Sequence, residues 1–128
     1  MKTPILTMKL LKEKFAVCRL EKNDTIPVWS ENSSFYSITR TTDELSIVCL
    51  ESDVPAHIKH ESNWRILKIE GPLDFSLIGI ISKISSILAE EKISIFALST
   101  FDTDYILVKD DNIENAIHTL SKNNYEII

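Results

Sequence analysis

The chain has 128 residues, 44% of them hydrophobic and 26% charged, with a net charge of −5. That balance fits a globular protein rather than a disordered one, and the length suits one ordinary domain or two very small ones. No basic run supplies the concentrated positive field of a nucleic-acid surface, and no apolar run approaches the roughly 18–20 residues of a membrane helix. The start, Met1-Lys2-Thr3-Pro4-Ile5-Leu6, lacks the apolar stretch and small-residue cleavage site of a secretory signal. The expectation is a cytoplasmic protein with neither nucleic acid nor membrane as partner.

The first half is irregular. Ile5 to Leu11 can form a strand, and Phe15 to Leu20, Ser34 to Thr39 and Leu45 to Leu50 read as strands. Asp24-Thr25-Ile26-Pro27 and Asn32-Ser33-Ser34 carry turn residues. Ser52-Asp53-Val54-Pro55 allows a single helical turn at most, and the polar stretch from Asp53 to Asn63 reads as a linker. Long amphipathic helices are missing here. Cys18 and Cys49 sit inside apolar strand-like runs, as buried free thiols do.

The second half is clearer. Trp64 to Glu70 alternates as a half-buried strand and stops at Gly71-Pro72. Asp74 is a suitable N-cap for a helix reaching about Glu90, with Leu77, Ile80, Ile81, Ile84, Ile87 and Leu88 at helical spacing. Gly79 falls inside that helix, where it costs roughly 1 kcal/mol relative to Ala and points to close helix–sheet packing or, as the second reading, to the close approach of a ligand. Ser94 to Leu98 and Asp104 to Lys109 form an antiparallel hairpin, because the turn between them is too short for a crossover. Asn112 can cap a second helix carrying Ile113, Ala116, Ile117 and Leu120, which Asn123-Asn124 can close. Tyr125 to Ile128 is a last short strand. The order from Trp64 onward is β-α-β-β-α-β, the ferredoxin-like arrangement.

These segments carry a family likeness. Phe15-Ala16-Val17-Cys18-Arg19-Leu20, the run from Ser37 to Cys49, Trp64 through Gly71-Pro72-Leu73-Asp74-Phe75, and the Ser99 to Lys109 turn and strand resemble the tandem ACT-domain proteins of the small bacterial type. Those proteins are related to the ACT pairs of the eukaryotic cytosolic arginine sensors. The resemblance implies an α+β protein of two ferredoxin-like (βαββαβ) ACT units. The N-terminal unit (1–60) would have reduced helices, and the C-terminal unit would span 61–128. It also implies a regulatory role with no catalytic site, and amino-acid binding at an interface between units.

A free amino acid needs donors for its carboxylate and acceptors for its ammonium, since burying either charge unpaired costs several kcal/mol. The helix start after Gly71 can offer unpaired backbone N–H groups. Gly71, Pro72, Leu73 and Asp74 would shape that corner, and Asp102 and Asp104 would meet the ammonium. Ser99 and Thr100 would add neutral hydrogen bonds, Phe101 would cover aliphatic atoms, and Ser46 and Ile47 would contribute from the first unit. Asp74 as a plain N-cap, and Asp102 and Asp104 as turn-satisfying groups, remain open readings. So does Arg40 as a structural residue of the matching polar turn, Thr39 to Glu44.

His57, His60 and His118 form no metal-ligand pattern, and two glycines in the whole chain argue against a phosphate-cradling loop. No cofactor is expected. A homodimer is expected, because small ACT units expose sheet edges and helix faces. The competing reading is a non-catalytic protein-interaction module without a ligand.

Overall fold

The computed structural model describes residues 5–70 and 79–128. The chain divides into two compact units. One comprises Glu13–Trp64, and the other Met1–Lys12 together with Arg65–Ile128. The division falls inside a single long strand, β5 (Lys59–Ile69).

The Glu13–Trp64 unit contains β2 (Phe15–Leu20), β3 (Ser37–Arg40), β4 (Leu45–Leu50) and the first part of β5, in the order β3-β4-β2-β5. Every neighbouring pair is antiparallel. Ala16, Cys18 and Leu20 on β2 and Leu45, Ile47 and Cys49 on β4 bury one face of this sheet, as period-two alternation requires. Trp29, Ile38, Val54 and Ile58 pack against that face. The connections are single 3-10 turns, Val28–Glu31 and Glu51–Asp53. Ser30, fully buried, donates its hydroxyl to the Pro27 carbonyl at 2.6 Å and ties the first of these. Phe15 and Phe35 meet edge to face with ring centroids 5.6 Å apart.

The stretch expected as a linker is strand from Lys59 onward. Val17 pairs with Glu61 but Phe15 with Trp64, so β5 carries one extra residue there. Asn63, at φ 67°, takes the left-handed conformation of that bulge. Its amide donates to Glu51 Oε1 at 2.9 Å. Polar composition hid the strand because it lies at the outer side of its sheet, where burial does not impose an apolar pattern.

The other unit contains β1 (Thr7–Leu10), the rest of β5, α1 (Ile80–Glu90), β6 (Ile95–Ser99), β7 (Asp104–Lys109), α2 (Ile113–Lys122) and β8 (Glu126–Ile127). It is an α+β unit, a mixed sheet with two helices, and β5-α1-β6-β7-α2-β8 follows the ferredoxin-like order. The strand order is β6-β7-β5-β1-β8. The first strand of the chain is inserted between β5 and β8, antiparallel to one and parallel to the other. Its Met8 is fully buried in the core with Leu67, Ile69, Ile84, Leu88, Ile106, Val108 and Leu120.

The helix expected from Asp74 begins, in its described part, at Ile80, and Asp74 itself lies outside the described residues. Gly79 is not a helix-interior residue. It occupies the N-cap at φ 78°, and a Cβ there would meet nothing within 4 Å. Its role is the left-handed backbone, not close packing. Asn112 stands at the N-cap of α2 without a side-chain capping bond.

Both helices end in the same motif. Lys92 N–H donates to Ala89 O and Ile93 N–H to Leu88 O, while Asn124 donates to Ser121 O and Tyr125 to Leu120 O. Lys92 (φ 60°) and Asn124 (φ 71°) are left-handed. The next residue, Ile93 or Tyr125, packs into the core with Leu88 or Leu120. This is the Schellman closure with its apolar contact.

Candidate functional site

The β6–β7 hairpin positions most of the polar residues singled out in the sequence. Ser99 pairs with Asp104 at the end of the ladder. Beyond it the Thr100 amide donates to the Thr103 carbonyl at 2.8 Å, as does the Thr100 hydroxyl at 3.1 Å. The Thr103 amide donates back to Thr100 Oγ1 at 3.3 Å. The turn is therefore closed by a threonine hydroxyl, not by Asp102 or Asp104. Phe101 and Asp102 form the exposed tip, with Phe101 84% exposed.

Asp104 is half-buried. Strand alternation places it on the face of β7 that carries Ile106 and Val108, the face buried with the helices. Ser99, its cross-strand partner, shares that face.

The residue that fixes this corner is Thr103, which the sequence reading passed over. It is one of the few buried polar residues among those described, and its hydroxyl donates to the Ile69 carbonyl at 2.5 Å. Ile69 is the last residue of β5, so the start of β7 is tied to the end of the strand that leads toward Gly71. Gly71, Pro72, Leu73 and Asp74 lie outside the described residues. The available signal for Thr103 was its symmetry with Thr100 across a two-residue tip.

The Glu13–Trp64 unit repeats the same turn. The Thr41 amide donates to the Glu44 carbonyl at 2.9 Å and its hydroxyl does so at 3.3 Å. The Glu44 amide returns to Thr41 Oγ1 at 3.1 Å. Thr41-Thr42-Asp43-Glu44 thus matches Thr100-Phe101-Asp102-Thr103 in bonding as well as in place, each leading into a buried strand. Arg40 donates to the Lys22 and Asp24 carbonyls, and Arg19 donates to the Asp43 carbonyl at 3.2 Å. Arg40 is thus engaged with backbone. Ser46 is half-buried on β4 opposite Arg19 and Thr39, and Ile47 is fully buried in the core of its unit.

Midway along β5, the half-buried Arg65 pairs with Asp110 at 3.2 Å and donates to the Leu11 carbonyl at 3.3 Å. No three His, Cys, Asp or Glu side chains among the described residues are placed to hold a metal. No described helix is long and apolar enough to cross a membrane.

The model of the ACT domain matches residues 59–122. The chain belongs to the ACT domain family. A second family model, for an N-terminal domain, matches residues 13–57, which falls within the Glu13–Trp64 unit.

Among curated proteins, this ACT-family chain is similar to the cytosolic arginine sensor for mTORC1 subunit 1. The mouse protein is 25% identical over 128 residues, covering 92% of this chain and 35% of that protein. The human protein is 40% identical over 60 residues, covering 46% of this chain and 18% of that protein. The chain therefore spans between about a fifth and about a third of the length of these relatives.

Among solved structures, a protein from Agrobacterium tumefaciens superposes with a TM-score of 0.92 at 35% identity, covering 98% of this chain and 94% of that one. The regulatory subunit of aspartate kinase from Thermus thermophilus shares the fold, with a TM-score of 0.58 at 10% identity over 94% of this chain and 98% of that one.

Proposed function

We propose that this protein is a non-catalytic regulatory module that binds a free amino acid. The site is the corner formed by Gly71, Pro72, Leu73 and Asp74 with Ser99, Thr100, Phe101, Asp102 and Asp104. Ser46 and Ile47 of the first unit belong to the same proposal, with the Ile47 side chain already filling the core of its own unit.

The observation that carries this reading is the Thr103–Ile69 bond, which holds the half-buried Asp104 beside the end of β5. In that place the Asp104 carboxylate accepts the ligand's ammonium. The backbone N–H groups following Gly71 receive its carboxylate, so neither charge is buried alone. Membership of the ACT family and similarity to proteins named as arginine sensors support the ligand class.

The organisation proposed is a tandem of two ACT-like units, the first with its helices reduced to 3-10 turns. Its support is the strand order β3-β4-β2-β5, which is ferredoxin-like, and the duplicated threonine turn. The protein is proposed to act as a cytoplasmic homodimer.

Thermal-shift screening against the free amino acids tests the function. A true ligand at one hundred times its dissociation constant adds about 2.7 kcal/mol of stability. Asp104→Ala is expected to abolish the shift while leaving the dichroism spectrum native. The commitment of the Thr100 hydroxyl to turn closure favours one second reading, an interaction module without a ligand. A flat screen together with concentration-dependent dimerisation selects that reading.

A further inference from the structure

The two cysteines of this chain are 31 positions apart in sequence but meet in the fold. In the β2–β4 ladder, Cys18 pairs with Ile47 and Ala16 with Cys49. Cys49 is thus the diagonal neighbour of Cys18 on the adjacent strand. Period-two alternation puts both side chains on the same face, in one apolar cluster. Both are free thiols, and both are almost wholly buried.

We propose that Cys18 and Cys49 form a reversible oxidation site, a dithiol that a peroxide closes to a cross-strand disulfide stapling β2 to β4. Two structural thiols buried for packing alone need only be apolar in behaviour, and nothing requires them to touch. Here strand register and facing set the two thiols side by side on one buried face. Diagonal cross-strand neighbours lie about 7–8 Å apart, just beyond the roughly 4.4–6.8 Å between Cα atoms that a disulfide spans, so the oxidised form requires the backbones of β2 and β4 to move toward each other. Such a bond is the labile kind that thiols reduce again.

The pair is also polarised in the sense the chemistry needs. The neighbouring Cys49 thiol lowers the Cys18 thiol from its usual value against the opposing effect of burial. Cys18, burial and the charge of Asp53 raise Cys49. In this proposal Cys18 accordingly takes the attack and Cys49 the resolving role.

The Cys18 sulfur attacks peroxide and the O–O bond breaks, giving a sulfenic acid and one water. The Cys49 sulfur then attacks the sulfenic sulfur, the S–S bond forms, and the second water leaves. The two thiol protons end in water, and two electrons pass from the sulfurs to the peroxide. Burial makes the first step slow, because oxidant enters only when the strands breathe.

Intact-mass analysis of the whole protein tests this. The reduced chain is incubated with hydrogen peroxide under native conditions, then denatured and alkylated. The expected result is a monomer 2 Da lighter that takes up no alkylating agent. It keeps a native dichroism spectrum and returns to two alkylatable thiols with dithiothreitol. With no further cysteine in the chain, a disulfide in the monomer is necessarily Cys18–Cys49. Persistence of both thiols after prolonged exposure, covalent dimers, sulfinic adducts 32 Da heavier, or loss of the native spectrum on oxidation would each overturn the proposal. In C49S, where no resolving sulfur exists, peroxide is expected to leave the 2 Da product absent at every time point.

Discussion

The two units apply one strand plan with different means of covering it. In the unit containing Arg65–Ile128, α1 and α2 bury Ile84, Leu88, Ala116 and Leu120 against the sheet. In the Glu13–Trp64 unit, Trp29, Val54 and Ile58 pack against the buried sheet face, and the connections carry 3-10 turns. The helical unit has further recruited the first strand of the chain, bringing Met8 into its core. A sheet face must be covered, but the cover need not be regular. A few large side chains held by local bonds such as Ser30–Pro27 suffice for a small unit.

The sharpest way to break that comparison is to hollow each core. Leu88→Ala and Leu45→Ala, each at a fully buried position of its own core, are each expected to cost about 2–5 kcal/mol by urea unfolding, with the larger loss in the helical unit. Equal losses would mean that the two cores are not distinguished by their cover.

Thr103→Val comes next. It keeps the shape but strands the Ile69 carbonyl, and is expected to cost about 1–3 kcal/mol. Thr103→Ser, which retains the hydroxyl, should restore most of this loss. The duplicated turn offers a finer comparison. Thr100→Ala removes two hydroxyl bonds, and Thr41→Ala removes the matching two together with a third from the Asp43 amide. Each should lower stability by about 0.5–1.5 kcal/mol, and a large inequality would show that the two turns differ in role. The smallest effect, and one of opposite sign, is Lys92→Gly. Lys92 holds φ 60° after α1, so glycine should stabilise the helix end by up to about 1 kcal/mol, read as a raised melting temperature.

Much of the helical unit was legible because its pattern is dense. Ile80, Ile81, Ile84, Ile87 and Leu88 mark one helix face, and Ile113, Ala116, Ile117 and Leu120 another. Asn124 marks a left-handed closure that the structure contains. Lys92 does the same work with no such marker, because the packing of Ile93 against Leu88 enforces the conformation that asparagine favours by itself. The polar hairpin was legible as a candidate, but not the division of labour inside it. Ser, Thr and Asp all read as turn formers, and only coordinates show that Thr100 closes the turn and Thr103 reaches Ile69.

Local periodicity by itself determined where most strands and both helices lie, since alternation and helical spacing are properties of neighbouring residues. Two features passed it by. β1 inserts between β5 and β8, and β5 runs on through a polar, bulged stretch from Lys59. Both depend on backbone hydrogen bonds to distant strands. Such bonds are indifferent to side-chain type, and so leave little trace in the order of amino acids.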